Sequence, residues 1–360
     1  MKVLTVVGAR PQFIKAAPVS RALRAAGCTE FLVHTGQHYD HKMSGIFLQE
    51  MQLSEVSLNL EVGSGPHGWQ TAQMLIGLEQ AMNLERPDRV LVYGDTNSTM
   101  AGALVASKLQ LPVAHVEAGL RSFNRTMPEE HNRVLTDHCS DYLFCPTQTA
   151  VDNLEREGVS RNVHLVGDTM FDAVLLFAKA ARERSTILEQ LKLTPGSYLL
   201  ATVHRPYNTD VPENLRNILG AFAATDETVI FPVHPRTRHR IAELDETFST
   251  SAANVKLIDP VSYLDMLMLE EHARMILTDS GGVQKEAYFF GVPCITLRPE
   301  TEWVETVEAG WNVVVGTQPA DILHCVKEQE WPALSQPVLF GDGKAAEKIV
   351  AHLMEESPAS

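Results

Sequence analysis

The opening stretch MKVLTVVGARPQFIKAAPVSRALRAAGCTEFLVH, residues 1–34, decides the fold class. It begins with a short apolar run rich in β-branched residues, Val3–Val7, which predicts a buried strand. An amphipathic segment from Phe13 to Ala26 predicts a helix, and the run from Glu30 to His34 predicts a second strand. A strand, a helix and a strand in this order form a βαβ unit, in which the two strands pair in parallel.

The same alternation continues along the whole chain and falls into two series of short apolar runs. Further runs of the first series are Arg89–Tyr93, Val113–Glu117, Tyr142–Cys145 and Val163–Val166. The second series consists of Tyr198–Thr202, Thr228–Pro232, Val255–Ile258, Met275–Leu277, Cys294–Leu297 and Asn312–Val315. Because turn residues and a helical segment follow each run, we expect parallel sheets covered by helices on both faces. The sequence therefore predicts an α/β protein with two Rossmann-like domains.

The length of the chain agrees with two domains, because 360 residues exceed the size at which one hydrophobic core usually stops growing. We place the N-terminal domain at residues 1–169 and the C-terminal domain at residues 170–344. The polar stretch 182–197 has no Gly-, Ser- or Pro-rich tract, so we expect a helix and a loop there rather than a flexible linker. Residues 345–356 predict a final amphipathic helix, and their periodicity leaves open whether it packs back on the first domain.

The composition argues against several classes of function. With 45 acidic and 30 basic residues the net charge is -15, and a field of that sign repels nucleic acids and anionic membrane surfaces. No apolar run is long enough to span a bilayer and the first residues lack a signal-peptide pattern, so we expect a cytoplasmic protein. The five cysteines have no C-x-x-C spacing, which predicts structural thiols rather than a metal or redox site.

Ligands of open α/β sheets bind beyond the carboxyl ends of the strands, so the residues that follow each strand are candidates for a site. After the first strand, Arg10 and Lys15 lie at the start of a helix, where the helix dipole favours an anion. The segment has neither G-x-G-x-x-G nor a Walker lysine, which argues against a dinucleotide or a P-loop triphosphate. A phosphate or carboxylate contact and ordinary surface charge are both consistent with this pattern.

Three carboxylates in the first half of the chain are candidates for acid/base chemistry. Asp95 and Glu117 follow neighbouring strands, near Arg121, and carboxylates brought together push their pKa values apart so that they can act separately as acid and base. Asp95 is also consistent with a helix N-cap. Glu129 follows Pro128 in a predicted first helical turn, where a solvated helix start explains the composition equally well.

The best pyrophosphate-binding pattern lies in the second half of the chain. Ser280, Gly281 and Gly282 precede a predicted helix and expose backbone N–H groups at its positive end. Glu286, one helical turn further on, is within reach of the ribose hydroxyls of a bound nucleotide. The alternative is an ordinary turn, with Ser as the helix cap and Gly for positive φ.

Two histidines, His204 and His234, directly follow strands of the second domain. A histidine in such a position can bind phosphate or transfer a proton near neutral pH. The two do not have the i, i+4 spacing of a zinc-binding helix, so we expect no metal site. The sequence indicates no other cofactor.

Seven motifs in fixed order carry a resemblance to a known family: GARPQFIK (8–15), GDTNST (94–99), HVEAGLRS (115–122), MPEEHNR (127–133), VHRPYN (203–208), FPVHPRTR (231–238) and TDSGGVQKEA (278–287). From about residue 3 to 350 the chain resembles the non-hydrolysing UDP-N-acetylglucosamine 2-epimerases. The resemblance implies the fold of the two-domain GT-B-type glycosyltransferases, with UDP held mainly by the C-terminal domain and chemistry in the cleft between the domains. It also implies a homodimer.

The resemblance also implies a reaction and roles for residues. A base removes the proton on C2 of the sugar, UDP leaves to give a bound glycal, and UDP then returns as a proton is delivered to the opposite face. The matching motif positions imply catalytic roles for Asp95, Glu117, Glu129 and His204. They imply UDP or substrate contacts for Arg10, Lys15, Ser280, Gly281, Gly282 and Glu286. Arg121 and His234 are further candidates for substrate binding.

Three motifs distinguish the chain from the best-known bacterial members, which read GTRPEAIK, QHREM and TERPE where this chain has GARPQFIK, Gln37–Asp40 and Thr301–Glu305. QHREM belongs to an allosteric site, so Tyr39 and Asp40 put that regulation in doubt. GARPQF, VHR-x-x-N and TEWVE are more similar to the branch that acts on UDP-2,3-diacetamido-2,3-dideoxyglucuronic acid for surface polysaccharide. Its sugar carboxylate would need a partner, for which Arg10, Gln12 and Arg121 are candidates.

Four alternatives stay open at this point. UDP-N-acetylglucosamine is the alternative substrate. A retaining glycosyltransferase would share the fold and the UDP site, and a hydrolysing epimerase would release free sugar and UDP. A non-catalytic nucleotide-sugar sensor would bind without turnover.

Overall fold

A computed structural model describes residues 1–37, 53, 55–244, 248, 252–333 and 336–355. The chain divides into two compact units, unit 1 (Met1–Leu176 and Val338–Ser360) and unit 2 (Phe177–Pro337). Each unit contains one parallel β-sheet with helices packed against it. The predicted class, an α/β protein with two Rossmann-like domains, is confirmed.

The sheet of unit 1 has seven strands in the order β3-β2-β1-β4-β5-β6-β7, and every pair is parallel. The strands are β1 (Lys2–Val7), β2 (Thr29–His34), β3 (Leu58–Asn59), β4 (Arg89–Tyr93), β5 (Val113–Val116), β6 (Tyr142–Cys145) and β7 (Val163–Leu165). The central strands are buried on both faces, which explains why they appear in the sequence as continuous apolar runs. Strand β3 was not predicted, because two residues are too short to show a periodic pattern.

Seven helices of the described part of the chain accompany this sheet: α1 (Arg10–Ala25), α2 (His67–Glu85), α3 (Asn97–Lys108), α4 (Pro128–Cys139), α5 (Gln148–Arg156), α6 (Thr169–Arg184), which continues into unit 2, and α15 (Ala345–Met354). Helix α1 begins three residues before the predicted start. The reason is local, because the Gln12 side chain accepts hydrogen bonds from the N–H groups of Gly8 and Ala9, 2.8 and 3.0 Å away, and Pro11 fits a first helical turn.

The final helix α15 packs against α1 within unit 1. Its apolar face is buried, with Ile349 and Leu353 at most 1% exposed. On the same helix, the His352 ring stacks on His164 with 4.0 Å between ring centroids. The chain therefore returns to the first unit after completing the second.

The sheet of unit 2 has six parallel strands in the order β10-β9-β8-β11-β12-β13. The strands are β8 (Tyr198–Thr202), β9 (Thr228–Pro232), β10 (Val255–Ile258), β11 (Met275–Thr278), β12 (Cys294–Thr296) and β13 (Asn312–Val314). The helices are α7 (Ile187–Gln190), α8 (Pro206–Thr209), α9 (Pro212–Ala223), α10 (Pro235–Leu244), α11 (Tyr263–Glu271), α12 (Gly281–Phe290), α13 (Val304–Glu308) and α14 (Pro319–Glu328). All six predicted strands of the second series are present.

In both sheets the strand order reverses beside the first strand of the unit. The reversal lies between β1 and β4 in unit 1 and between β8 and β11 in unit 2. Connections leave these strands toward opposite faces of the sheet, which opens a crevice at their carboxyl ends where ligands bind. The candidate residues after β1, β4, β8 and β11 therefore lie at the binding positions of their own units.

All five cysteines are free thiols, and three of them are buried. Burial raises the pKa of the Cys145 and Cys294 thiols, which makes them poor nucleophiles. None of the helices among the described residues has both the length and the apolar character needed to cross a bilayer.

Candidate active site

Glu117 and Lys15 form a buried ion pair at the carboxyl end of β5. Lys15 Nζ lies 2.5 Å from Glu117 Oε1, and the two side chains are only 10% and 6% exposed. Glu117 has a φ of 71°, in the left-handed region that a residue with a side chain rarely adopts. Its backbone is held there because the N–H groups of Glu117 and Ala118 both donate to the Phe144 carbonyl, each at 3.1 Å. Such strain is most common at functional sites.

Asp95 follows β4 and pairs with Arg133 of α4. Its carboxylate is partly exposed and remains accessible to a ligand. The N-cap of α3 is Thr96, whose hydroxyl accepts a hydrogen bond from the Thr99 N–H, so the interpretation of Asp95 as an N-cap is wrong. Asn132 Nδ2 holds the Asp95 carbonyl at 3.0 Å, which fixes the backbone that carries the carboxylate.

Gly94 lies between the two carboxylates. Its φ is +63°, and a Cβ atom there would lie 3.4 Å from Lys15 Nζ and 3.6 Å from Glu117 Oε1. The structure therefore brings Lys15, Glu117 and the Gly94–Asp95 turn together at the switch point of unit 1.

Glu129 and Glu130 stand in the first turn of α4, which begins at Pro128 as predicted. Glu129 is half-buried, whereas Glu130 is buried and used internally. The Glu130 carboxylate accepts hydrogen bonds from the backbone N–H groups of Ser122 and Phe123, at 3.0 and 2.9 Å, and from Arg133 at 2.9 Å. Glu130 thus holds the loop before α4, and the half-buried Glu129 is the third candidate carboxylate.

A buried polar network supports the Gly94–Asp95 turn from below. The His115 ring is fully buried, with Nε2 2.7 Å from the Gly94 carbonyl oxygen and Nδ1 2.7 Å from Asp137. Burial alone would raise the pKa of Asp137, but hydrogen bonds from His115 and Arg121 outweigh it and lower that pKa. Sequence reasoning missed His115 and Asp137 as site residues, because nothing local marks a histidine inside a strand as part of a network.

Arg121 belongs to the same network. Its guanidinium is 2% exposed and donates to both Glu157 oxygens at 2.7 and 2.8 Å, to Asp137 at 2.7 Å and to the Leu120 carbonyl at 2.7 Å. Burial lowers the pKa of Arg121, but the hydrogen bonds to Glu157 reverse this effect and raise it overall. Four of the five N–H donors of the guanidinium are used inside the protein, which favours a structural role over substrate binding.

Arg10 and Gln12 begin α1 and differ in their environment. Arg10 is half-buried, at the first position of the helix. Gln12 is 1% exposed and uses its whole amide internally, since Oε1 accepts from Gly8 and Ala9 and Nε2 donates to the Tyr93 carbonyl and the Thr99 hydroxyl, both at 2.9 Å. Gln12 therefore shapes the first loop and has no donor left for a ligand.

In unit 2, Ser280 caps α12, and its hydroxyl accepts a hydrogen bond from the Val283 N–H at 3.5 Å. Gly281 and Gly282 start the helix with helical backbone, so the alternative in which Gly serves a positive φ is wrong. A Cβ atom on Gly281 would lie 2.5 Å from Glu302 Oε1 and 3.1 Å from Trp303 Nε1. Glycine is required there because the 301–305 loop approaches the start of the helix.

Glu286 is buried one turn into α12 and accepts a hydrogen bond from the Tyr263 hydroxyl at 2.9 Å. His204 follows β8 and its side chain is 51% exposed. His234 follows β9 and is exposed. Asp279, a fully buried residue after β11, accepts hydrogen bonds from the His204 backbone N–H. It belongs to the TDSGGVQKEA motif, but the sequence did not indicate a role for it.

In the part of the chain that the structure describes, no group of three or more His, Cys, Asp or Glu residues is placed to hold a metal ion. Tyr39 and Asp40, on which the doubt about allosteric regulation rests, lie outside the described residues.

Two Rossmann-type units, one with carboxylates and cations at its switch point and the other with a helix that starts at Ser280–Gly282 after β11, are typical of α/β enzymes of the GT-B type. The comparison with known families narrows this class. A model of the UDP-N-acetylglucosamine 2-epimerase family matches residues 21–354, and the chain belongs to this family. The protein is therefore an isomerase of the non-hydrolysing UDP-sugar 2-epimerase type.

Relatives with different names match over nearly the whole chain. A UDP-N-acetylglucosamine 2-epimerase homolog of Methanococcus maripaludis is 52% identical over 97% of this chain and 98% of its own. The UDP-2,3-diacetamido-2,3-dideoxy-D-glucuronate 2-epimerase of Pseudomonas aeruginosa is 46% identical over 98% and 99%. The crystal structure of Methanocaldococcus jannaschii UDP-GlcNAc 2-epimerase with UDP-GlcNAc and UDP matches with a TM-score of 0.93 at 46% identity, covering 98% and 99% of the two chains.

Proposed function

We propose that the enzyme inverts C2 of a UDP-linked N-acetylated sugar by elimination and re-addition of UDP. The observation that carries the proposal is the convergence of Lys15, Glu117 and the Gly94–Asp95 turn at the switch point of unit 1. Abstraction of a carbon-bound proton needs a positioned base, and inversion needs a proton donor on the other face. Asp95, Glu117 and Glu129 supply carboxylates for these two tasks.

In the first half-reaction a carboxylate takes the C2 proton, the C2–H electron pair forms the C1–C2 double bond, and the C1–O bond breaks with its electrons leaving on UDP. In the second, a UDP oxygen attacks C1 as a proton is added to C2 on the opposite face. Negative charge grows on the departing diphosphate, so positive groups must face it. Lys15, which contacts Glu117, is suited to stabilise negative charge at the reacting sugar.

Unit 2 supplies the proposed nucleotide contacts. The backbone N–H groups of Gly281 and Gly282, the Ser280 hydroxyl and the dipole of α12 suit the diphosphate, whereas the Ser280 N–H donates to the Thr278 hydroxyl at 2.9 Å. Glu286 suits the ribose hydroxyls, and His204 and His234 suit the phosphates or a proton transfer to them. Arg10 at the start of α1 provides a further cation.

For the substrate we propose UDP-2,3-diacetamido-2,3-dideoxyglucuronate, converted to its mannuronate epimer for surface polysaccharide, with UDP-N-acetylglucosamine as the alternative. The loop motifs GARPQF, VHR-x-x-N and TEWVE favour the first, and the relatives named for UDP-N-acetylglucosamine support the second. Of the three candidate partners for the sugar carboxylate, Gln12 has both amide donors engaged inside the protein and Arg121 has four of its five donors engaged. We propose Arg10, a half-buried cation at the first position of α1, as the partner.

Proton NMR in heavy water tests both proposals. The enzyme is incubated separately with the two UDP-sugars, and loss of the C2 proton signal and appearance of the manno epimer are followed. Deuterium at C2 with the nucleotide intact is the expected result, and the substrate that exchanges faster identifies the preference. Accumulating free UDP would indicate a hydrolysing enzyme, transfer to an added acceptor a glycosyltransferase, and tight binding without exchange a sensor.

Arg10→Gln tests the proposed carboxylate contact. A charge-assisted hydrogen bond contributes about 1.5–3 kcal/mol. We therefore expect kcat/KM for the diacetamidoglucuronate substrate to fall about 10- to 100-fold more than kcat/KM for UDP-N-acetylglucosamine. Equal losses with both substrates would assign Arg10 to the nucleotide, which the substrates share.

We also propose that the enzyme acts in the cytoplasm and, from the family resemblance, that it is a homodimer. Light scattering coupled to size exclusion measures the mass in solution directly. A mass of 39.8 kDa, that of one chain, would contradict the dimer.

A further inference from the structure

Asp279 is a fully buried carboxylate at the carboxyl end of β11, beside the loop that carries His204. It accepts hydrogen bonds from the backbone N–H groups of His204, at 3.0 and 3.1 Å, and of Arg205, at 2.9 Å. Asn208 Nδ2 donates to the same carboxylate at 3.0 Å and to the Leu297 carbonyl at 2.9 Å. The loop after β8 is thereby fixed to the end of β11.

A negative charge on Asp279 is unfavourable for binding a diphosphate nearby. Asp279 directly precedes Ser280, which with Gly281 and Gly282 forms the proposed diphosphate cradle. A carboxylate and a diphosphate in a shared site disfavour each other because both are negatively charged. Backbone N–H groups can be held by a neutral acceptor as well as by a carboxylate. Fixing the loop therefore does not by itself explain why this residue carries a charge.

The position of the His204 ring next to Asp279 provides an explanation. Nδ1 of the ring lies 3.4 Å from Oδ1 of the buried Asp279, while half of the His204 side chain stays exposed. A carboxylate next to Nδ1 favours a proton on that nitrogen, so that in the neutral ring Nε2 is the acceptor. The exposed part of the ring is then the part that can exchange a proton with a ligand.

The other charged groups around the ring act against protonation. Partial burial is the largest cause that lowers the pKa of His204, and Arg205, His234 and Arg298 lower it further. Asp279 opposes all four, although the pKa is lowered overall.

We propose that Asp279 is a positioning residue that holds His204 as the Nδ1–H tautomer, aims Nε2 at the substrate and supports the charged ring when it takes up a proton. This inference rests on the proposed function for its catalytic consequence. Its structural content, the tautomer and the coupled titration of His204, is measurable without a substrate.

Asp279→Asn isolates the role of the charge. The Asn oxygen can occupy the place of Oδ2 and keep the hydrogen bonds from Arg205 and Asn208. Its NH₂ group then faces Nδ1 of His204, which can only accept from it, so the tautomer reverses to Nε2–H. The control is Asn208→Ala, which removes two hydrogen bonds of the loop but leaves the carboxylate in place.

Three measurements test the proposal. ¹⁵N NMR of substrate-free wild type should report Nδ1–H in the neutral His204 ring, and His204 should titrate at lower pH in Asp279→Asn than in wild type or Asn208→Ala. UDP affinity of Asp279→Asn should be kept or increased, because a negative charge below the phosphates is gone. Its kcat should fall about 10²-fold or more, as for other lost proton-transfer groups.

The outcomes separate the two proposals. Nε2–H in the neutral wild-type ring, or an unshifted titration in a folded Asp279→Asn, would overturn the role of Asp279 even in an active epimerase. If Asp279→Asn does not fold, the tautomer in wild type decides. A wild type with Nδ1–H and no C2 exchange would instead overturn the proposed function and leave the tautomer assignment intact.

Discussion

The candidate site of unit 1 depends on individual residues held in conformations that the chain does not favour locally. Glu117 has a left-handed φ and a side chain buried against Lys15. Backbone strain of this kind costs on the order of 1 kcal/mol and persists only where the surroundings impose it. The two hydrogen bonds to the Phe144 carbonyl and the ion pair with Lys15 supply that constraint.

Glu117→Gln should keep UDP binding and lose turnover about 10³-fold, because the amide cannot accept the C2 proton while the proposed nucleotide contacts lie in unit 2 and at Arg10. Turnover and the Kd for UDP measure the two effects. The control is Glu85→Gln, which removes a carboxylate that pairs with Lys2 at 2.7 Å away from the candidate residues. Unaltered turnover in Glu117→Gln would remove Glu117 from the proposed catalytic groups.

Arg121→Lys should destabilise the protein by about 2–4 kcal/mol, because a lysine cannot replace the paired contacts to Glu157 and the bond to Asp137 in a buried site. Urea denaturation measures the change. The matched control is Arg240→Lys, an exposed arginine that pairs with Glu243 at 2.9 Å, for which we expect no measurable change. A variant with unchanged stability and a raised KM would instead show that Arg121 binds the substrate.

At the scale of elements, the start of α12 is shaped by a loop that is distant in sequence. Glu302 and Trp303 lie against Gly281, and the Trp303 ring also covers Lys285 Nζ at 4.0 Å from its centroid. The N-terminus of a helix binds anions only where its N–H groups stay accessible. The close packing on one side of α12 therefore fixes which side of the helix start can face a phosphate.

Gly281→Ala should weaken UDP binding and destabilise the protein by about 1–3 kcal/mol, because the new methyl group would overlap Glu302 and push the 301–305 loop away. Calorimetric titration with UDP and urea denaturation measure the two effects. Gly220→Ala is the matched control, since no atom lies within 4 Å of its added Cβ in helix α9. That variant should gain about 0.5–1 kcal/mol; full UDP affinity in Gly281→Ala would contradict the proposed cradle.

At the scale of the whole molecule, the chain forms unit 1, then unit 2, and then returns to complete unit 1 with α15. Asp172 of α6 receives the returning chain, because its carboxylate accepts the N–H groups of Ala345 and Ala346 at 3.2 and 2.7 Å. Burial is the largest influence on Asp172 and outweighs these hydrogen bonds, which raises its pKa to about 6 from 3.8.

The raised pKa of Asp172 predicts a pH dependence of stability. Since the folded protein binds this proton more tightly than the unfolded chain, the contribution of Asp172 is full below about pH 4 and is lost as the pH rises through 6. A shift of this size corresponds to about 3 kcal/mol. Asp172→Asn should therefore lose less stability than wild type between pH 4 and 7 in urea denaturation. The control is Asp226→Asn, a carboxylate with a 90% exposed side chain, whose curve should follow that of wild type.

The fold class and the positions of the candidate residues at strand ends could be predicted from local patterns in the sequence. Apolar runs of three to five residues between helical segments are local patterns, and all the strands they predict are present in two parallel sheets. Strand ends that carry Asp95, Glu117, His204 and Ser280 follow from the same pattern, because the carboxyl ends of parallel strands share one edge of the sheet. The motif resemblance then agreed with the family that the chain belongs to.

The contacts of each polar side chain, in contrast, depend on how distant parts of the chain pack together. Arg121 and Gln12 follow strands as candidate ligand contacts, yet most of their donors are engaged by protein partners up to 87 residues away in the sequence. His115 and Asp137, 22 residues apart, and His204 and Asp279, 75 residues apart, become neighbours only when separate strands and helices assemble. Periodicity reports which face of an element is apolar, whereas a hydrogen-bond partner depends on the packing of elements that no local pattern connects.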